Sequence, residues 1–137
     1  MEYDKIRDQL KNRLELVNDP APFVTVYDHV PDSLTPPCAI VVPSNNAITY
    51  HEAMGTVGNA LTLCRFDITI AEQRFNTDFS QERLDEYLGT VPTALEGDQT
   101  LGGYAKSVIV TNARNYGPLT FASEVYLGVQ LDLELLV

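Results

Sequence analysis

The fold is decided by the C-terminal stretch SEVYLGVQLDLELLV, residues 123–137. Its apolar residues fall on every second position, with polar residues or glycine between them and Leu136 as the one exception. This alternation predicts a β-strand, because successive side chains of a strand point to opposite faces of a sheet. A second layer must bury the apolar face. That face comprises Val125, Leu127, Val129, Leu131, Leu133, Leu135 and Val137.

Two amphipathic segments can supply the second layer. Residues 1–17 repeat apolar side chains at a spacing of three and four residues, which predicts a helix. A second helix is expected to begin with Ser80 as its N-cap and to be kinked or broken at Gly89 and Pro92. The apolar stripes of the two helices consist of Ile6, Leu10, Leu14 and Val17, and of Leu84, Tyr87, Leu88 and Val91.

Four further strands are predicted, over residues 23–30, 38–42, 61–73 and 105–113. A turn at 115–118 would return the chain into the final strand as an antiparallel hairpin. The order α-β-β-β-α-β-β indicates one α+β domain over residues 1–137. We expect a mainly antiparallel four- to five-stranded sheet with two helices on one face.

Two segments of this scheme carry particular expectations. Val24, Val26 and Val30 are predicted to share one face of the first strand. Pro43 is expected to end the second strand and to open a long loop or hairpin arm over residues 43–60.

Composition and charge limit the classes of function. Nineteen acidic against nine basic residues give a net charge of −10, which disfavours specific binding of nucleic-acid phosphates. No apolar run is long enough to span a membrane, and the charged N-terminus is unlike a signal sequence. In a reducing cytoplasm, Cys38 and Cys64 are expected to be buried thiols, with a disulfide as the less favoured alternative.

No constellation of residues predicts catalysis. Asp28-His29 and His51-Glu52 could together bind a metal, but they lack the close ligand spacing of zinc sites. Asp132 and Glu134 share one strand face, as an acid/base pair would, yet nothing apolar in the sequence surrounds them to shift a pKa. We therefore expect no catalytic residue, cofactor or metal.

The arrangement of segments resembles the tail terminator proteins of phages with long, non-contractile tails. These are minor tail proteins at the tail–head junction. The likeness rests on order and size over nearly the whole chain rather than on a single signature. It is carried by Ile6, Leu10 and Leu14, by residues 24–27, 37–43 and Tyr50, and by residues 66–70, 94–98, 101–103 and 125–128.

The resemblance implies a structural virion protein, made in the host cytoplasm, that forms a homo-oligomeric ring, in this family a hexamer. The ring would end polymerisation of the tail tube protein and then dock the head completion or neck proteins. DNA would pass through its hole without specific binding, and an acidic lumen would favour that passage. The alternatives are another head–tail connector, or a monomeric assembly adaptor that binds through an open sheet edge.

Ring closure requires one patch of a subunit to meet a different patch of the next subunit. Arg65 is expected to pair with Asp132 or Glu134 of a neighbour, and these two acids are also candidates for the lumen. The residues expected at the interface are Tyr50, Leu63, Arg65, Ile109, Tyr126 and Gln130. The alternative is that these are ordinary solvent-facing residues or part of a second small core under a loop.

Overall fold

The computed structural model describes residues 2–50, 62–74 and 77–137. Its elements follow the predicted order α-β-β-β-α-β-β, with a short 3-10 helix, Leu101–Gly103, before the last two strands. The helices are α1 (Tyr3–Glu15) and α2 (Thr77–Glu96), and the strands are β1 (Thr25–Tyr27), β2 (Cys38–Thr49), β3 (Leu63–Glu72), β4 (Ser107–Phe121) and β5 (Glu124–Leu136).

The five strands form one sheet in the order β1-β2-β3-β5-β4. All neighbouring strands are antiparallel except β1 and β2, which run parallel. The C-terminal strand β5 lies between β3 and β4 and pairs with both. The predicted α+β class, with a mainly antiparallel sheet, is confirmed.

Both helices pack on one face of this sheet, as predicted. Alternate residues of β3 and β5 form the floor of the core, and Leu127 to Leu135 of β5 are buried at every second position. The apolar stripes of the helices cover them, and Phe23 stacks on Tyr87 with 4.7 Å between ring centroids. The fully buried side chains of the helices are Ile6, Leu10, Leu14, Leu84, Tyr87, Val91 and Leu95.

The predictions of a break in the second helix and of Ser80 as its N-cap are wrong. α2 begins at Thr77, so Ser80 is a buried residue inside it, and it continues through Gly89 and Pro92 to Glu96. A proline inside a helix costs about 3 kcal/mol. Burying each large apolar side chain contributes about 1.5–3 kcal/mol, and α2 buries four of them. Burial therefore outweighs the cost of the proline.

The predicted turn at 115–118 is also wrong. β4 continues to Phe121, and residues 115–117 form an irregularity within the strand, where Asn115 and Gly117 have φ of 56° and 150°. The hairpin turn lies instead at Ala122 and Ser123, whose φ values of 50° and 68° are typical of a tight two-residue hairpin.

The first two strands differ from their predicted lengths. Only three residues of β1 pair with β2, so Val24 and Val30 lie outside the strand and are exposed. β2 does not end at Pro43 but runs to Thr49, with an irregularity between Pro43 and Ile48. Beyond Ile40 none of the described strands pairs with the β1 side of β2, so a residue without an N–H can be accommodated there. Of the predicted loop or arm, residues 51–60 lie outside the described residues.

Candidate assembly surface

The face of the sheet opposite the helices, here called the outer face, carries a polar network across four strands. Its side chains come from β2, β3, β5 and β4 and alternate with the core residues of those strands. Most of them are only partly buried. The network comprises Thr49, Arg65, Asp67, Thr69, Arg114, Asn115, Gln130, Asp132 and Glu134.

At the centre of the network, Arg114 bridges two carboxylates. Asp67 of β3 and Asp132 of β5 are directly opposite each other in the ladder, an arrangement that is unfavourable for like charges. The Arg114 Nε donates to Asp132 at 2.8 Å, and its Nη2 donates to Asp67 at 3.4 Å. These two acids raise the pKa of the Arg114 guanidinium, with the hydrogen bond to Asp132 as the largest cause. Arg114 therefore joins β3, β5 and β4 electrostatically.

Arg65 pairs within its own chain rather than with a neighbour. Its Nε lies 3.5 Å from Glu134, and its Nη1 donates to the Thr49 hydroxyl at 2.8 Å and to the Asn46 carbonyl at 3.3 Å. Glu134 is one of the two acids expected to pair with Arg65, but it belongs to the same chain. A contact of Arg65 between subunits stays a prediction.

Gln130 extends the network toward the other end of the sheet. Its side-chain oxygen accepts a hydrogen bond from Asn115 at 2.6 Å, and its nitrogen lies 3.5 Å from the Thr69 hydroxyl. A groove of about 320 Å³ opens beside the ion pairs, bounded on the β2 side by residues 44–46. The groove offers a partner hydrogen-bonding groups, since its two arginines are already paired with carboxylates.

The opposite end of the outer face is apolar. Leu34, in the loop after β1, packs against the strands there and closes a second small core. Tyr126 is 7% exposed in this core, so its predicted surface position is wrong. The buried residues of the second core are Leu34, Cys38, Ile40, Ala71 and Tyr126.

Leu63 is a further correction, since it is only 9% exposed at the start of β3. Two of the interface candidates are clearly exposed: Ile109 on β4 at 51%, and Tyr50 directly after β2 at 64%. Ile109 and Tyr50 are not neighbours in the sheet, because Ile109 of β4 lies opposite Glu134 of β5, whereas Tyr50 follows β2. They belong to different edges of the molecule.

β4 forms one edge of the sheet, and its two halves differ. In the first half, two side chains bind the edge N–H groups of β4. Glu96, at the end of α2, accepts a hydrogen bond from the Val110 N–H at 2.8 Å, and Gln99, just after α2, accepts one from the Val108 N–H at 3.1 Å. In the second half, residues 111–116 are all exposed. The Tyr116 hydroxyl donates to Asp85 of α2 at 2.6 Å and so ties this half to the helix layer.

The outer surface of α2 is acidic. Asp78, Glu82, Asp85 and Glu86 are exposed and follow one another at helical spacing. Arg83 lies among them in sequence but turns inward, where its Nε is 2.8 Å from the buried carboxylate of Glu72. This stripe, unlike the acids of the outer face, is not neutralised by an ion pair within the described residues.

Metal binding and membrane insertion were the remaining questions raised by the sequence. Across residues 2–50, 62–74 and 77–137, no group of three or more His, Cys, Asp or Glu side chains could hold a metal ion. Asp28 and His29 share a hydrogen bond of 2.9 Å that lowers the pKa of the Asp28 carboxyl, whereas His51 and Glu52 lie outside the described residues. No helix in the described part of the chain is long and apolar enough to cross a membrane.

Comparison of the chain with protein-family models and with curated proteins finds no match. Function must therefore be inferred from the surface itself. The sequence pattern did not single out Arg114 and Asn115, because the predicted turn at 115–118 placed them at the end of a strand. The sequence feature that could have indicated them is the row of acidic residues on β5, because carboxylates on one strand favour a cation on the neighbouring strand.

Proposed function

We propose that this chain is a structural subunit that assembles into a ring and terminates a phage tail tube. The observation that carries the proposal is a sheet with two unlike edges, the three-residue β1 on one side and the fifteen-residue β4 on the other. Unlike edges suit the head-to-tail contacts from which cyclic rings are built. The likeness in segment order to tail terminators supports the same assignment.

The acidic stripe of α2 fits the passage of DNA through such a ring. A lumen repels phosphates only where its acids are not paired with cations. Asp132 and Glu134 are each paired with an arginine, whereas the four exposed acids of α2 are not paired with a cation within the described residues. The stripe of α2 is thus a better candidate for the lumen than the two acids chosen from the sequence.

A monomeric adaptor remains the second candidate function. It is favoured by the exposed second half of β4, which offers a strand edge to a single partner of another kind. Such an adaptor needs no contact between copies. The number of copies in the assembled species therefore separates the two functions.

The test is the mass of the purified protein, measured by light scattering after size exclusion over a hundredfold range of concentration. A hexameric ring of the 15.2 kDa chain has a mass of about 91 kDa. We expect the mass to rise toward this value with concentration. A mass of one chain throughout would contradict the ring and favour the adaptor.

A further inference from the structure

The formal charges of the chain are segregated along the sequence. Residues 14–64, which include β1 and β2, contain five acidic residues and no Lys or Arg. Residues 99–123, which include β4, contain Lys106 and Arg114 and no acidic residue. In a chain with a net charge of −10, β4 thus belongs to a stretch of sequence without acids of its own, at the opposite end of the sheet from β1. The acids that reach β4, Glu96 and Asp85, come from α2 and accept hydrogen bonds from its Val110 N–H and Tyr116 hydroxyl.

Each edge also exposes large apolar side chains. Val24 and Val30, on either side of β1, are 60% and 67% exposed. Ile109 and Tyr116 of β4 are 51% and 39% exposed. Exposed apolar and tyrosine side chains with few like charges are typical of the centre of a protein interface.

The two edges complement each other in charge. Asp28 follows β1 directly and Asp32 lies in the next loop, where it is exposed. At the other edge Lys106, just before β4, is exposed and makes no ion pair within the described residues. Arg114 is shared with the acids of the outer face, so Lys106 is the main cation that this edge offers to a partner.

From this segregation we propose that the β4 edge of one copy binds the β1 edge of a second copy. The inference rests on the proposed ring and names the surfaces that close it. The two edges lie four strand spacings apart, about 19 Å. Each copy can therefore bind one neighbour through its β4 edge and another through its β1 edge. A pairing of two β1 edges would instead bring acids against acids.

The contact is made by side chains rather than by a continuous strand ladder. Pro118 and the irregularity between Arg114 and Gly117 interrupt β4, and β1 has only three residues. Features of this kind keep an edge from pairing indiscriminately with other strands. Charge and apolar contacts then determine which edges meet.

The test uses two edge variants and a control. The β4-edge variant carries Lys106→Glu and Ile109→Glu, and the β1-edge variant carries Asp28→Lys and Asp32→Lys. The control, Lys5→Glu with Asn12→Glu, makes the same change of charge as the β4-edge variant on the exposed side of α1. Circular dichroism and thermal melting establish that every variant is folded.

We expect each edge variant alone to self-associate about tenfold more weakly than wild type in light scattering and sedimentation. An equimolar mixture of the two should recover association, because the intact β4 edge of one meets the intact β1 edge of the other. The control should associate like wild type, and added salt should weaken the wild-type contact.

Three results would overturn the inference: a β1-edge variant that associates like wild type, a mixture that gains nothing over its components, or a control as weak as the edge variants. If the edge variants still reach the ring mass, the edges are wrongly assigned while the ring proposal stands. If wild type never exceeds the mass of one chain, both the edge contact and the ring are wrong.

Discussion

Arg114 shows how much a single residue determines on the outer face. Asp67 and Asp132 face each other across β3 and β5, and Arg114 contacts both. The sequence could predict that Asp132 and Glu134 share a face. It could not place Asp67 opposite Asp132, because that pairing depends on the register of β3 and β5. Nor could it place Arg114 beside them, because the register of β4 shifts between Val110 and Asn112.

Replacing Arg114 by methionine should therefore destabilise the chain through the two carboxylates left facing each other. We expect a lower midpoint of urea unfolding at pH 7 than in wild type. Lys106→Met is the matched control, and an equal loss in both variants would contradict the bridging role.

The two thiols make a second prediction at this scale. Cys38 and Cys64 are buried thiols, as predicted, and burial raises the pKa of the Cys38 thiol to about 12. Because the thiolate is the reactive form, neither cysteine should react with a thiol reagent at pH 8 in the folded chain. Both should react after unfolding in urea. Rapid labelling of the folded protein at pH 8 would show that the thiols are accessible.

At the scale of elements, two glycines differ in what surrounds them. A Cβ on Gly128 of β5 would lie 3.0 Å from the Leu119 side chain and 3.1 Å from the Ile70 carbonyl oxygen, whereas a Cβ on Gly89 of α2 meets nothing within 4 Å. Gly128→Ala should destabilise by about 1–3 kcal/mol through overpacking. Gly89→Ala should stabilise α2 by about 0.5–1 kcal/mol. Urea unfolding of both variants checks the pair, and the same sign in both would contradict this packing.

The hydrogen bond from Tyr116 to Asp85 ties β4 to α2, and its contribution should depend on pH. Burial first, and then the bond to Asp85, raise the pKa of Tyr116 to about 12, above its ordinary value of 10.0. A raised pKa means that the stabilisation is fully present below pH 10 and is lost as the pH rises to 12.

We therefore expect Tyr116→Phe to lose about 1 kcal/mol or less at pH 7. The deficit relative to wild type should shrink between pH 10 and 12. Tyr50→Phe, which changes an exposed tyrosine, is the control and should show no deficit at pH 7. A Tyr116→Phe deficit that grew with pH would contradict the assigned hydrogen bond. Urea unfolding at several pH values provides the measurement.

The acidic stripe of α2 makes a prediction that belongs to the proposed function. Asp78→Lys, Glu82→Lys and Glu86→Lys together should convert a surface that repels DNA into one that binds it. The control carries the same three changes at Glu2, Asp4 and Asp8, which are exposed at the start of α1. We expect slower DNA passage and lower particle yield with the α2 variant than with the control. Equal yields would contradict a role of α2 in the lumen.

For the molecule as a whole, the sequence predicts those elements whose pattern is local. β5 and α1 bury most of the residues that their spacing indicated, such as Val129, Leu131 and Leu10, whereas Val125 at the start of β5 is exposed. The continuity of α2 through Pro92 could not be predicted, because it depends on burial against the sheet. The burial of Tyr126 likewise depends on Leu34, which lies more than ninety residues away in the chain.

The whole molecule is thus a sheet with one covered face, one partly polar face and two edges of opposite character. A helix layer closes the first face, and the arginine network holds the second together. The edges remain for other molecules, and we propose that another copy of the same chain binds there. Repeating that contact would build the closed ring that we propose.

Electron microscopy of the purified protein tests this central claim most directly. We predict closed rings of uniform size, six-fold in projection if the likeness to tail terminators holds, with a central hole wide enough for duplex DNA. The rings should be absent from the β4-edge variant, Lys106→Glu with Ile109→Glu, and present in its control, Lys5→Glu with Asn12→Glu. Single small particles without rings, at concentrations where the protein is folded and pure, would contradict it.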